Sequence, residues 1–440
     1  MVRTKEYVTA YGRFAIAVPA LAVPLLVAGA ALCAAASPLS GQEPQVVTCT
    51  KCHADPEFLS VFTNTPAGET PLYVPDSVLA GTPHGQFECT VCHITYGDGY
   101  PHADGAATLP CQGCHQSEGD DWAASIHAEA EAVGDAPTCI GCHGGPGPHE
   151  IYAASDRRAP THDLNVTASC SRCHADPGII GSYFGSAEEA QARVAVDQYY
   201  RNVHGAALTR AGLAISAACN DCHGSHKVLP SGDPESTVHR DNVVDTCGSC
   251  HIGIIEVYEA GSAHGSAYLA HERGANDILA PSCVDCHTSH EMTHADDPEW
   301  FLGISATCGN CHEHLWETYL DTYHGQITDL GFGLTAKCSD CHTAHNMRPA
   351  SDTSSSVYPM NLVDTCGRCH PDANLNFVKY YAHGDTHDRL NYPLLFWPWL
   401  LMTTLLVSVW AFFGAHSMMW VTGVAIERVL RRRGKAGHHS

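Results

Sequence analysis

Residues 219–226 read Cys219-Asn220-Asp221-Cys222-His223-Gly224-Ser225-His226, and the first five form the motif that decides the fold of this 440-residue chain. Cys-x-x-Cys-His occurs eleven times and takes 22 of the 23 cysteines. His follows the second Cys every time, although only 31 residues are His, so the five positions act as one unit. Numbered 1 to 11 along the chain, the motifs are Cys49-Cys52-His53, Cys89-Cys92-His93, Cys111-Cys114-His115, Cys139-Cys142-His143, Cys170-Cys173-His174, Cys219-Cys222-His223, Cys247-Cys250-His251, Cys283-Cys286-His287, Cys308-Cys311-His312, Cys338-Cys341-His342 and Cys366-Cys369-His370.

This motif is an attachment sequence for a c-type haem. Its two thiols form thioethers with the porphyrin vinyl groups, and the adjacent His binds the iron from one face. The sequence therefore predicts eleven covalently bound haem c groups. The 22 motif cysteines hold them, and the eleven motif histidines are the proximal iron ligands.

Two other uses of paired cysteines compete with this interpretation. Cys-x-x-Cys pairs also build zinc ribbons, and the 18 residues between Cys92 and Cys111 would suit one. Zinc ribbons do not require His directly after the second Cys, and two intervening residues make a poor general-purpose disulfide. The invariant His therefore favours haem.

The density of the motifs predicts the fold class. With about one haem per thirty residues between Cys49 and His387, the chain is too short to build a large side-chain core as well. We expect mainly short α-helices and loops, with little β-structure, wrapped around a stacked array of c-type haems. Without haem, this segment is not expected to fold.

The composition is acidic, with 23 basic and 47 acidic residues and a net charge of −24. This excludes nucleic acid as a partner, because phosphate binding requires basic patches. Two interpretations remain open, a solvated acidic surface and steering toward basic redox partners.

The chain ends predict a membrane topology. Arg3, Lys5 and Arg13 with the apolar run 14–32 indicate an export signal or N-terminal anchor over 1–36, which contains the unused Cys33. Residues 390–427 are interpreted as an interfacial segment followed by one transmembrane helix, since Pro393 and Pro398 disfavour a regular helix at the start. The basic tail 428–440 is expected on the cytoplasmic side, which places the haem domain 37–389 on the periplasmic side.

The second half of the chain repeats with a period of 60 residues. His204-Gly205, His264-Gly265 and His324-Gly325 follow this period, and His383-Gly384 comes 59 residues later. Each of the first three precedes two motifs, so the array is interpreted as motif 1 followed by five pairs in sequence. Helices are predicted for 186–200 and before each later His-Gly, with the glycine ending the helix.

Eleven further histidines match the eleven irons that need a second ligand. Six are of the His-Gly type, here called leading histidines: His84, His127, His204, His264, His324 and His383. Five follow the first motif of each pair, here called trailing histidines: His102, His149, His226, His290 and His345. His226 lies three residues after His223 on the same helical face, so it is expected to bind a neighbouring haem. His162 and His239 are interpreted as packing residues.

The repeat Tyr199-Tyr200-Arg201-Asn202-Val203-His204-Gly205 with motifs 6 and 7 resembles the multihaem cytochromes c with doubled motifs, over about residues 80–385. The resemblance implies electron transfer between a membrane quinol or cytochrome b module and periplasmic or extracellular redox proteins. The alternative is a multihaem reductase of a small nitrogen or sulfur oxyanion. His416, on the membrane helix, is a candidate contact for a quinone or a partner's b haem.

Overall fold

The computed structural model describes residues 48–64, 66, 72–95, 102, 107–131, 137–184, 186–272 and 280–436. These residues are mainly helical, and their only sheet is a two-stranded antiparallel pair, which confirms the helical fold class with little β-structure. The predicted export signal over 1–36 and Cys33 lie outside the described residues.

Most of the helices are short. Before motif 6 they are α1 (Thr50–His53), α2 (Pro56–Thr63), α3 (Asp76–Ala80), α4 (Cys89–Cys92), α5 (Gln116–Ala123), α6 (Ile126–Glu131), α7 (Cys139–His143), α8 (Asp163–His174), α9 (Pro177–Phe184), α10 (Ser186–Arg201) and α11 (Val203–Thr209). From motif 6 they are α12 (Cys219–His223), α13 (Val243–Gly248), α14 (Ile252–Gly261), α15 (Ala263–Glu272), α16 (Cys283–His287), α17 (Pro298–Gly309), α18 (Glu313–Leu320), α19 (Tyr323–Asp329), α20 (Cys338–His342), α21 (Leu362–Gly367) and α22 (Pro393–Ala436). Strands β1 (His93–Thr95) and β2 (Ala107–Thr108) pair His93 with Thr108, and Cys111–Gly113 and Phe377–Lys379 form 3-10 turns. Helix α10 confirms the helix predicted before His204.

From motif 4 onward, the motifs alternate between forming a helix of their own and starting at the end of a preceding helix. Motifs 4, 6, 8 and 10 form the separate one-turn helices α7, α12, α16 and α20, whereas motifs 5, 7, 9 and 11 begin in the last turn of α8, α13, α17 and α21. In α12, α16 and α20, an Asp in the first turn accepts a hydrogen bond from the backbone N–H at the N-cap, as Asp285 Oδ2 does from Ser282 N at 2.7 Å, whereas in α7 the Thr138 hydroxyl accepts from Gly141 N at 3.3 Å. This contact satisfies a donor that a helix of one turn leaves without a partner.

A sharp helix corner positions each leading histidine of the repeats. Helix α14 ends at Gly261 and α15 starts at Ala263, with Ser262 between them as N-cap. Ser262 Oγ accepts a hydrogen bond from Gly265 N at 2.7 Å. Asn202 and Thr322 cap α11 and α19 in the same way, through Gly205 and Gly325. His264 therefore lies in the first turn of the second helix.

The prediction that the His-Gly glycine ends a helix is wrong. Gly265 lies inside α15, and a Cβ placed there would be 2.0 Å from the carbonyl oxygen of Tyr258 in the preceding helix. Only a residue without a side chain allows the two helices to approach so closely. A Cβ placed at Gly205 would likewise lie 1.9 Å from the carbonyl oxygen of Tyr199, and one placed at Gly325 would lie 2.1 Å from that of Tyr319.

Backbone hydrogen bonds join successive repeats. The residue before a leading histidine donates to the carbonyl two residues after the trailing histidine of the next repeat. The bonds are Ile126 N to Val228 O at 2.9 Å, Val203 N to Met292 O at 3.0 Å and Ala263 N to Met347 O at 2.6 Å. Each repeat is therefore anchored to the one that follows.

The hydrophobic core of the described residues is small. The largest cluster of fully buried apolar side chains consists of Val243, Val244, Tyr268 and Ala280. Most helices present their apolar side chains at partly or fully exposed positions. Packing between side chains alone therefore accounts for little of the fold.

Helix α22 is continuous from Pro393 to Ala436, so the irregular start predicted from Pro393 and Pro398 is wrong. Pro393 occupies the first helical position, where its missing N–H is not needed, and Pro398 removes only one early hydrogen bond. The part Pro393–Arg432 is long and apolar enough to cross a membrane, and its 18-residue window has a mean hydropathy of 1.7. The single apolar C-terminal helix expected from the sequence is present.

We predict opposite effects for alanine at two helical glycines. Gly265→Ala should destabilise the protein by about 1–3 kcal/mol, because the added methyl overlaps the Tyr258 carbonyl. The matched control Gly303→Ala lies within α17 with nothing within 4 Å of the added carbon, so it should stabilise by about 0.5–1 kcal/mol. Thermal unfolding of the full-length chain, followed by circular dichroism, measures both. Equal melting temperatures for the two variants would contradict the steric role of the corner glycine.

Candidate metal-ligating histidine pairs

Each of the eleven motif histidines faces a second histidine. The ring centroids lie 5.9–6.2 Å apart in every pair. The pairs, motif histidine first, are His53 with His102, His93 with His149, His115 with His84, His143 with His226, His174 with His127, His223 with His290, His251 with His204, His287 with His345, His312 with His264, His342 with His383 and His370 with His324. The structure thus brings all eleven leading and trailing histidines to a motif histidine.

The uniform separation is informative. Two imidazoles bound on opposite sides of one metal ion, at about 2.0 Å each, have ring centres about 6 Å apart. Aromatic pairs in direct contact range over about 4.5–7 Å, so the value alone does not distinguish the two arrangements. The interplanar angles vary from 4° to 86° while the distance stays nearly constant. Variable ring rotation at fixed separation is expected for rings on a common axis, and not for rings that stack on each other.

The two kinds of histidine serve different motifs. Five of the six leading histidines pair with the second motif that follows them, as His204 does with His251 of motif 7, whereas His383 follows the last motif and pairs with His342 of motif 10. A trailing histidine pairs with a motif of the preceding repeat: His226 follows motif 6 but faces His143 of motif 4, and His290 follows motif 8 but faces His223 of motif 6. Sequence reasoning identified these residues and expected His226 to serve a neighbour, but it did not assign the partner motifs.

After motifs 6, 8 and 10, a residue with positive φ directs the trailing histidine away from its own motif. Thr288 and Thr343 have φ of 61° and 67°, and Gly224 has φ of 82° at the corresponding place. Such angles are unfavourable for threonine, so the surrounding structure must enforce them. The reversal carries His226, His290 and His345 toward the preceding repeat.

The motif thiols show how neighbouring sites meet. The first cysteines of successive motifs lie close enough for one thiol to contribute to the pKa shift of the other in five cases: Cys49 with Cys89, Cys111 with Cys139, Cys170 with Cys219, Cys247 with Cys283 and Cys308 with Cys338. Motif 1, which stands apart in the sequence, is therefore joined to motif 2 in space. Second cysteines of other successive motifs also act on each other electrostatically, as Cys173 does on Cys142 and Cys311 on Cys286.

Burial keeps many of the paired imidazoles neutral. It lowers the pKa of His223, His287 and His342, and the second ring of each pair lowers it further. Other paired histidines with a pKa lowered chiefly by burial are His127, His143, His149, His174, His204, His264, His290, His324, His345 and His383. A neutral imidazole offers the nitrogen lone pair that a metal ion requires.

The histidines interpreted as packing residues take no part in the pairs. His162 Nδ1 caps α8 by accepting a hydrogen bond from Leu164 N at 3.1 Å, and His239 Nδ1 accepts one from Asp241 N at 3.3 Å. Trp300 occupies the corresponding position two motifs later and stacks on His287, with centroids 5.4 Å apart and planes 12° apart. Sequence reasoning missed this contact, because the position is not constant in residue type.

The geometry of the cysteines differs from that of a zinc ribbon. Among the residues that the structure describes, no group of three or more His, Cys, Asp or Glu side chains is arranged to hold a metal ion. The 22 motif cysteines form no disulfide. The recurring arrangement is instead two thiols beside one member of a histidine pair.

The membrane-type helix is attached close to one of these sites. Tyr392, just before α22, contacts Tyr381 with ring centroids 5.5 Å apart, and Trp399 contacts His387 at 4.4 Å. Both contacts flank His383, which faces His342 of motif 10. His416 is exposed on α22, away from the paired histidines in the chain.

Comparison with known proteins returned no match to a family model, to a curated protein or to a solved structure.

Proposed function

We propose that the chain is a membrane-anchored multihaem c-type cytochrome with eleven covalently bound haem c groups. In this proposal it conducts electrons between a membrane quinol or cytochrome b module and periplasmic or extracellular redox proteins. The observation that carries the proposal is the set of eleven histidine pairs, each with one motif histidine and one histidine from elsewhere, at 5.9–6.2 Å.

The residues at each site fit a c-type haem. Two thiols stand ready for thioether bonds, the motif histidine lies beside them, and the second histidine is available for the opposite face. The small side-chain core also fits, because porphyrins would supply the apolar volume that the side chains do not. When bound, haem supplies a one-electron iron couple at each site.

The chain itself contributes fixed ligand axes and closed sites. The helix corner holds His204, His264 and His324, and the residue with positive φ positions His226, His290 and His345, so these ligand atoms need not rearrange when an electron arrives. The first cysteines of successive motifs act on each other electrostatically, which is expected of neighbouring sites that lie close together. Short separations and rigid ligands are the features that conduction needs.

The reductase alternative requires a different site. Reduction of a small oxyanion needs an iron with an open position, often marked by Lys in place of the motif His, and the sequence has no Cys-x-x-Cys-Lys. Motif 1 was the strongest candidate for an exception, but His102 lies opposite His53 with centroids 6.1 Å apart. A second ligand at every site favours conduction.

The membrane arrangement completes the proposal. Helix α22 anchors the chain, residues 428–440 lie on the cytoplasmic side, and the haem domain 37–389 faces the periplasm. The contacts around His383 join the anchor to the site of motif 10, so electrons from the membrane are received near that end. His416 on the single helix contacts a quinone or a b haem supplied by an integral membrane partner.

We expect protein purified from membranes in mild detergent to carry eleven haems per chain. Intact mass should exceed that of the processed polypeptide by eleven haems, and the reduced protein should show the sharp absorption bands of c-type haem. A chain without haem, or with bound zinc in its place, would contradict the proposal. Subunits that co-purify would identify the membrane partner.

We predict that His290→Ala opens one site without removing its haem. His290 faces His223 of motif 6, so its loss should convert one haem in eleven to the high-spin form, visible by electron paramagnetic resonance. The control is His294→Ala, since His294 is exposed and ion-paired with Asp296 at 2.8 Å. If His290→Ala remains entirely low-spin, His290 is not an iron ligand.

We predict that His416→Ala slows reduction of the haems by a quinol about tenfold, the cost of one lost hydrogen bond of about 1.4 kcal/mol. Reduction by dithionite should be unaffected, because that route does not use the membrane helix. Ser417→Ala is the control, as the next residue points about 100° away around the helix. An unchanged rate in His416→Ala, measured in the membrane complex, would exclude a role for His416.

A further inference from the structure

Lys337 is a cation buried directly beside a candidate haem site. Lys337 is 1 % exposed and is the one charged residue among the buried residues that the structure describes. It is the N-cap of α20 and immediately precedes Cys338, the first cysteine of motif 10. A charge in such a position needs specific partners, because transfer out of water is costly.

The contacts of Lys337 suit an ammonium group. Nζ donates hydrogen bonds to the carbonyl oxygens of Gly333 at 2.6 Å and Thr335 at 2.7 Å, and it lies 4.1 Å from the centre of the Phe301 ring. These three acceptors match the three N–H bonds of an ammonium. Among the described residues, no carboxylate forms an ion pair with Nζ, and Asp340 binds the backbone N–H of Lys337 instead, at 2.8 Å. Nζ therefore has no direct carboxylate partner, and Asp340 only partly offsets the burial that lowers the pKa of Lys337.

The corresponding positions of motifs 6 and 8 carry no charge. They are Ala218 and Ser282, both buried N-caps with the same Asp contact to the backbone. Near motif 8 a different cation, Arg240, reaches the carbonyl of Ala280 at 2.6 Å, which corresponds to the carbonyl of Thr335. Arg240 is ion-paired with Asp285 at 3.3 Å, and both side chains are about one third exposed. Its charge is thus ion-paired and screened, unlike that of Lys337.

We propose that Lys337 tunes the motif 10 haem, giving it a higher reduction potential than the motif 8 haem. The inference rests on the proposed function, since it requires haem at motif 10. Reduction adds one negative charge to the site, and a buried cation without a direct carboxylate partner favours the reduced state. The site concerned is the one whose second histidine, His383, belongs to the segment attached to α22. Lys337 therefore favours uptake of electrons at the membrane end.

Lys337 also ties the loop 333–337 to the start of α20, which is a purely structural role. The two roles are separable, because the loss of a loop contact changes stability whereas the loss of a buried charge changes a reduction potential. Lys337→Met removes the charge and both hydrogen bonds. Lys337→Gln removes the charge but retains an amide donor for the loop carbonyls.

The test is a potentiometric titration of the full-length, haem-loaded protein in detergent, followed by haem absorbance. In Lys337→Met, the amplitude of about one haem in eleven should move to lower potential while the rest of the curve is unchanged. Lys379→Met is the control, because Lys379 is exposed and contacts only Asn376, at 3.0 Å, among the hydrogen bonds described. Its titration should superimpose on that of the wild type.

A Lys337→Met curve identical to the wild type, in protein with eleven haems, overturns the tuning role. If Lys337→Met loads fewer haems, Lys337→Gln provides the same comparison with the same two outcomes. Wild-type protein without haem would instead overturn the proposed function, so the two failures are distinguishable.

Discussion

The pairing of each motif histidine with a histidine from another part of the chain is the constraint on which the structure depends. The fully buried apolar side chains are few, and their largest cluster has only four members. The local devices of the repeat act to complete these pairs. The capped corner with its glycine puts a leading histidine in the first turn of a helix, and the residue with positive φ after a motif turns a trailing histidine outward. In this chain of short helices, distant segments are held together where a leading or trailing histidine pairs with a motif histidine.

Because trailing histidines serve the preceding repeat, no repeat completes both of its own pairs, and its first motif takes its second histidine from the repeat that follows. Motif 4 depends on His226, motif 6 on His290 and motif 8 on His345. Motif 10 has no later repeat to supply a histidine, and His383 takes that place from the segment before the membrane-type helix. His383 is a leading histidine by its sequence, but it completes the pair of motif 10 as a trailing histidine does for the earlier motifs. The backbone hydrogen bonds between repeats also join each repeat to the one that follows, and they reinforce this dependence on the next repeat.

The sequence was sufficient for features that local chemistry determines. The motifs, the eleven further histidines, the helix before His204 and the apolar C-terminal helix follow from spacing and composition alone. The partner of each histidine did not follow, because His226 reaches motif 4 through a fold that brings distant segments together. The corner glycines were misjudged for the same reason: their requirement comes from the Tyr258 carbonyl and its equivalents, which lie in a different helix. Pro398 was misjudged because one lost hydrogen bond early in a 44-residue helix is easily tolerated.

Repetition gives the sites a common geometry, so differences between them must come from positions that the repeat leaves variable. One such position holds His162, His239 and Trp300 in successive repeats, as a helix cap, a turn contact and a stacking partner for His287. Another holds Ala218, Ser282 and Lys337, all buried at the N-cap of a motif helix. The paired histidines cannot vary without breaking a pair, whereas these neighbours can change charge and polarity while the histidine pairs stay intact. Under the proposed function, such neighbours are where a gradient of reduction potential between the sites would be encoded.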